Sequence, residues 1–204
     1  NGSGNLTLGS LTGAGKVAAG QNLSISVGGD YINAAGNQLS ANNNLTLNVA
    51  GNFSNAAGAT LQAPNNLALS AANIDNTSGA TLNSANTVLS TGGTLSNEGT
   101  IEGDTITLNA GALSNTANII GGTITVTAGS LTNCADLGTQ TGNNAYQSAL
   151  IAGSNSIALY VGGTLLNRDA TIFSVGDITI GANAGGGASQ AVTNLSGDIE
   201  ANGA

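Results

Sequence analysis

The sequence predicts an all-β fold, a parallel β-helix (β-solenoid) of about nine coils forming a single domain. Three observations predict it. Eight asparagines, Asn33, Asn55, Asn76, Asn97, Asn115, Asn133, Asn167 and Asn194, recur at spacings of 22, 21, 21, 18, 18, 34 and 27 residues. A self-similar period near 20 marks stacked supersecondary units rather than one globular core. Around each asparagine lie short runs of period-two alternation, rich in β-branched residues and punctuated by Gly, Asn and Ser, which read as strands. No segment shows the 3.6-residue period with end caps that a helix requires.

Each unit contains three such runs. The first is typified by Leu45-Thr46-Leu47-Asn48-Val49, Ile106-Thr107-Leu108 and Ile124-Thr125-Val126. The second surrounds the marker asparagine, as in Phe53-Ser54-Asn55 and Leu113-Ser114-Asn115, and the third follows it, as in Thr60-Leu61-Gln62 and Thr100-Ile101-Glu102. If coils stack at the ordinary interstrand spacing of about 4.8 Å, equivalent positions form ladders. One inward ladder is Tyr31, Phe53, Ile74, Leu95, Leu113, Leu131, Leu165 and Val192. A second is Leu23, Leu45, Leu67, Ile106, Ile124, Ile157 and Ile178. A third is Leu39, Leu61, Leu82, Ile101, Ile119, Leu137, Ile172 and Ile199.

The eight asparagines are expected to form a structural corner ladder. Asn tolerates unusual φ/ψ and satisfies local backbone groups, and stacked Asn side chains hydrogen-bond along a ladder. Gly13 takes the equivalent place in the first unit.

The period breaks twice. Asn133 to Asn167 spans 34 residues, with the excess in 138–148, and a smaller excess occupies 181–190. The domain is therefore read as 1–204 with loop insertions near 138–150 and 181–190. Insertions in solenoids emerge as corner loops, and binding residues concentrate on loops held by rigid scaffolds. Gln140, Asn143, Asn144, Tyr146 and Gln147 are the candidate partner-contact residues. A drifted insertion costs little entropy, so the same loop fits a neutral reading.

Composition removes several function classes. Ten acids face only Lys16 and Arg168, for a formal net charge of −8. Two cations cannot make a phosphate-binding stripe, so nucleic acid is not an expected partner. No stretch approaches the ~20 apolar residues of a membrane span. There is no His, and the lone Cys134 has neither a disulfide partner nor an activating base. No Cys/His cluster suits zinc, and the acids never form a calcium-loop spacing, Glu98, Glu102 and Asp104 coming closest. No catalytic residue, metal or cofactor is expected.

An enzyme acting on acidic polysaccharide needs clustered acids with calcium, or a cation beside a carboxylate. Lys16 and Arg168 lie about seven coils apart, roughly 34 Å, and cannot share a site. An ice-binding face needs regular Thr ladders, whereas Thr105/Thr107 and Thr123/Thr125 supply only two adjacent coils. The sequons at Asn22, Asn44, Asn52, Asn76 and Asn194 are generated by the repeat itself and are weak signals of glycosylation.

The repeat phrases resemble the filamentous haemagglutinin repeats of large two-partner-secretion exoproteins, which include adhesins and the stalks of contact-dependent growth-inhibition toxins. The likeness is carried by 44–61, 105–115 and Gly163-Thr164-Leu165-Leu166-Asn167, and its pattern covers essentially the whole chain. It implies a right-handed β-helix, secreted to the cell surface of a Gram-negative bacterium. Its expected partners are an outer-membrane transporter of the two-partner-secretion type and a receptor on host or neighbouring bacterial cells. The family's secretion domain carries Asn-Pro-Asn motifs. Pro64, in Ala63-Pro64-Asn65-Asn66, is the single proline here, so the chain is expected to be a shaft fragment of a longer protein. The expected function is a structural shaft mediating adhesion or cell–cell contact. The alternative is the receptor-binding part of a growth-inhibition toxin stalk.

Overall fold

A computed structural model describes residues 2–11, 15–135 and 149–203. Among them the chain forms strands and no helix, and every strand pairing is parallel. The strands stack as a β-solenoid with three faces. The first face carries the runs typified by Leu23–Val27 and Asn44–Val49, the second those typified by Phe53–Asn55, and the third those typified by Thr60–Gln62.

The first and third faces each have nine strand layers among the described residues. Nine layers bound eight turns, so the expected nine coils become about eight complete turns plus partial ones. In the middle of the stack the corners tighten until strands run through them. Thr100–Asn115 and Asn118–Cys134 are each one continuous strand that visits all three faces.

The core is the column of inward side chains. The aromatic-to-aliphatic ladder from Tyr31 to Val192 is in register at every step. Tyr31 and Phe53 pack with ring centroids 5.9 Å apart at 41°. Leu45, Leu61, Leu82, Leu95, Ile101, Ile106, Ile119, Ile124, Leu131 and Leu165 are fully buried. Burial weakens at both ends: Leu6 and Val17 in the first layers and Ile178 and Ile199 in the last are half-buried, and Val192 is 49% exposed.

Two ladder assignments change. Leu137, the residue expected between Ile119 and Ile172 in the third-face ladder, lies outside the described residues. Its place is taken by Ile151, paired to Ile119 on one side and Ile172 on the other. The 34-residue unit thus carries its excess before the third strand rather than after it. Alternation alone could not choose, because Ala135-Asp136-Leu137 and Leu150-Ile151-Ala152 both fit a strand flank. The first-face ladder also gains Thr87 between Leu67 and Ile106. Thr87 is wholly buried, and its hydroxyl donates to Glu102 O at 2.9 Å, which satisfies the polar atom that an apolar column otherwise penalises.

Candidate functional site: the asparagine ladder and the outward faces

The eight marker asparagines stand last or next to last in the second-face strands, and the structure brings them into one column. Seven of them, Asn33 through Asn167, are wholly buried. Each Nδ2 donates to Oδ1 of the asparagine one coil on: Asn33 to Asn55 at 2.8 Å, Asn55 to Asn76 at 2.9 Å, Asn76 to Asn97 at 2.8 Å and Asn97 to Asn115 at 2.7 Å. Asn115 to Asn133, Asn133 to Asn167 and Asn167 to Asn194 follow, each at 2.8 Å.

The remaining Nδ2 hydrogen reaches backbone carbonyls of the third strand. Asn76 donates to Thr100 O at 3.2 Å, Asn97 to Asn118 O at 3.1 Å, Asn133 to Thr171 O at 3.1 Å and Asn167 to Asp198 O at 3.1 Å. Each amide therefore ties its own corner to the side chain and the backbone of the next coil. Both polar ends of the column are distinct. Asn33 Oδ1 is buried with no hydrogen-bond partner among the described residues. At the other end exposed Asn194 turns its Nδ2 onto Gly197 O at 2.7 Å.

One part of the expected role is corrected. The marker asparagines do not take the unusual backbone conformation at the corner; positive φ falls on Gly36, Gly58 and Gly79, three residues later, and on Asp169 and Ser196, two residues later. In the three wide corners a backbone bond such as Ala59 N to Ala56 O, 2.8 Å, closes a turn with glycine at its third position, where φ > 0 is required. The asparagine stays within the strand because its side chain must point inward to bond its neighbours.

The candidate contact residues Gln140, Asn143, Asn144, Tyr146 and Gln147, and Gly13, lie outside the described residues.

Sequence reasoning missed two outer asparagine columns. Asn86 Nδ2 donates to Asn66 Oδ1 at 3.1 Å and Asn44 Nδ2 to Asn22 Oδ1 at 2.8 Å, with Asn66 bonding Asn44 between them. At the corner before the second face, Asn73 donates to Asn52 at 2.7 Å and Asn52 to Asp30 at 3.2 Å. Their spacings of 20 to 22 residues were available as a signal. Asn76 is wholly buried in the marker column, so its sequon is closed in the folded chain.

The remaining chemistry is sparse. Cys134 is buried and accepts from Arg168 Nε at 3.2 Å and Nη2 at 3.0 Å. Glu102 accepts from Asn83 Nδ2 at 2.9 Å. Among the described residues no three His, Cys, Asp or Glu side chains are grouped to hold a metal ion, and no helix is long and apolar enough to cross a membrane. Thr105/Thr107 and Thr123/Thr125 stack in register, but Asn86/Val88 and Ser156/Ala158 bound them on either side. A shallow groove of about 460 Å³ over Asn37, Ser40, Asn42, Thr60, Gln62 and Pro64 presents no charged side chain.

Comparison with protein-family models, with curated proteins and with solved structures gives no match to this chain.

Proposed function

We propose that this chain is a structural shaft segment of a large, secreted, filamentous adhesin-type exoprotein at the surface of a Gram-negative bacterium. It holds a distal activity away from the cell and mediates adhesion or cell–cell contact, without catalysis of its own. Its export partner is an outer-membrane transporter of the two-partner-secretion type, and the cell it meets is a host cell or a neighbouring bacterium. The resemblance of the repeat phrases to filamentous haemagglutinin repeats supplies the cellular setting.

The observation that carries the reading is the unbroken registry of the marker column, seven consecutive Asn-to-Asn bonds spanning Asn33 to Asn194. A solenoid's stability is a sum of nearest-neighbour coil interfaces. A buried hydrogen-bonded column fixes the register of each interface, because a slipped coil strands polar groups away from water. Fixed register over seven successive coil interfaces is what a spacer needs.

The test is binding of the labelled chain to Gram-negative cells and to epithelial cells, with and without residues 138–148. A folded chain that binds neither saturably, and does so equally after the deletion, supports the shaft reading. Saturable binding lost on deletion replaces it with the receptor-recognition reading, and the cell type bound assigns the kind of receptor.

A further inference from the structure

The outward side of the third face changes character partway along the stack. One outward row reads Ser40, Gln62, Asn83, Glu102, Ile120, Ala152, Phe173 and Glu200. The neighbouring row reads Thr100, Asn118, Leu150, Thr171 and Asp198. Polar outward residues thus give way for three coils to Ile120, Leu150, Ala152 and Phe173, and carboxylates stand at both ends. Glu102 precedes the patch, while Asp198 and Glu200 follow it.

Ile120 is 39% exposed, Val175 at the adjoining corner is 54% exposed, and Leu150, Ala152 and Phe173 are half-buried. The other exposed large apolar residues among those described, Ile32, Val88, Val192 and Leu195, stand on other faces. A strand-forming residue on a solvent-facing sheet is ordinarily polar or β-branched polar, so a contiguous apolar block bounded by acids is a departure that the β-helix itself does not need.

We propose that this patch is a docking surface for a polypeptide segment with an apolar centre and Lys or Arg at both ends. Charge placement selects the partner. Glu102 and Glu200 are four coils apart, about 19 Å at the interstrand spacing, and Asp198 reinforces the second end. A segment lying along the solenoid axis sets its apolar side chains on Ile120, Leu150 and Phe173 and its cations on the two acidic ends. It does not add as an extra strand, because the strands under the patch are hydrogen-bonded on both sides. Contact is through side chains. The surface is independent of the shaft reading, since a spacer with or without a secretion partner carries the same patch.

The probe is a fluorescein-labelled peptide Lys-Lys-Leu-Phe-Val-Leu-Lys-Lys, whose cationic pairs stand about 17 Å apart when extended. Fluorescence anisotropy is read against the intact chain at low and high salt. Saturable binding is expected, weakened by salt because the end contacts are exposed. Phe173→Ser or Ile120→Ser should weaken it about tenfold, one decade being 1.4 kcal/mol. Glu102→Gln combined with Glu200→Gln should weaken it and flatten its salt dependence, while Asp75→Asn, on the second face, leaves it unchanged.

All variants are checked for unchanged circular dichroism and melting, which outward positions should preserve. Equal binding of a peptide with Ser in place of its four apolar residues overturns the proposal, because attraction to the net charge alone then explains it. Loss of affinity in Asp75→Asn equal to that in the Glu pair, or no saturable binding at all, also overturns it.

Discussion

Asn97 donates a 2.7 Å hydrogen bond to Asn115 across one coil, and neither side chain is exposed to solvent. Asn115 in turn donates to Asn133 at 2.8 Å and closes its own corner on Ala117 O at 3.0 Å. One amide therefore serves as acceptor below, donor above and corner clasp. Asn115→Ala leaves Asn97 Nδ2 and Asn133 Oδ1 buried without this partner, at a cost of about 2–4 kcal/mol. Asn115→Asp should cost at least as much, since a carboxylate cannot donate to Asn133 and its charge is buried. Urea titration followed by circular dichroism measures both, and wild-type midpoints would refute the role given to the column.

Leu113 sits between Leu95 and Leu131 in the inward second-face ladder and is 2% exposed. Leu113→Asp places a charge there with no partner, so the neighbouring coils should unfold at room temperature. Its sequence neighbour Ser114 points outward, and Ser114→Asp should change stability by less than about 0.5 kcal/mol. Comparing the two melts tests the inward assignment residue by residue.

Adjacent glycines at one corner are predicted to differ. A Cβ on Gly163 meets Gly129 O at 2.6 Å, whereas one on Gly162 meets nothing within 4 Å. The obstructing atom is backbone of the coil before, so it can yield only by opening the stack. Gly163→Ala should lower stability by about 2–3 kcal/mol and Gly162→Ala by less than about 0.5 kcal/mol. Thermal melts of the pair decide the point.

Burial pushes the Asp75 carboxyl above its ordinary value of 3.8. The native state then holds that proton more tightly than the unfolded chain. Asp75's contribution is thus most favourable below 3.8 and declines as pH rises to the raised native value. Asp75→Asn should remove this slope and stabilise the neutral-pH protein slightly, by under about 1 kcal/mol because the group is partly solvated. Melting temperature against pH for both proteins is the check. A steeper slope in the variant would contradict it.

The fold was legible because the two signals that define it are carried by identity at fixed positions. Leu, Ile and Phe alternate along short strands, and Asn returns at each second-face corner. Register of the eight-member ladder follows once the asparagines are aligned. Which side of the third strand the long insertion falls on was not legible, since Leu137 and Ile151 are equally good third-face residues until pairing with Ile119 selects one. Thr87 was hidden because its hydroxyl bond to Glu102 O lets a polar residue occupy a core position. The outer columns through Asn44 and Asn52 were readable by spacing, but their residues also fit sequons and turns. The apolar patch at Ile120 and Phe173 escaped notice because inward and outward positions alternate, and only the register shows that these two face out in successive layers around Ala152.

The central claim is a stack held at fixed register over its whole length, and a spin–spin distance tests it most directly. In a Cys134→Ser background, nitroxides placed by Ser24→Cys and Ala158→Cys stand in one outward row of the first face, six layers apart. The labels point the same way, so the account predicts one narrow distance distribution centred near 29 Å, six spacings of about 4.8 Å. A broad distribution, or a maximum displaced by a coil or more, would contradict the registered shaft.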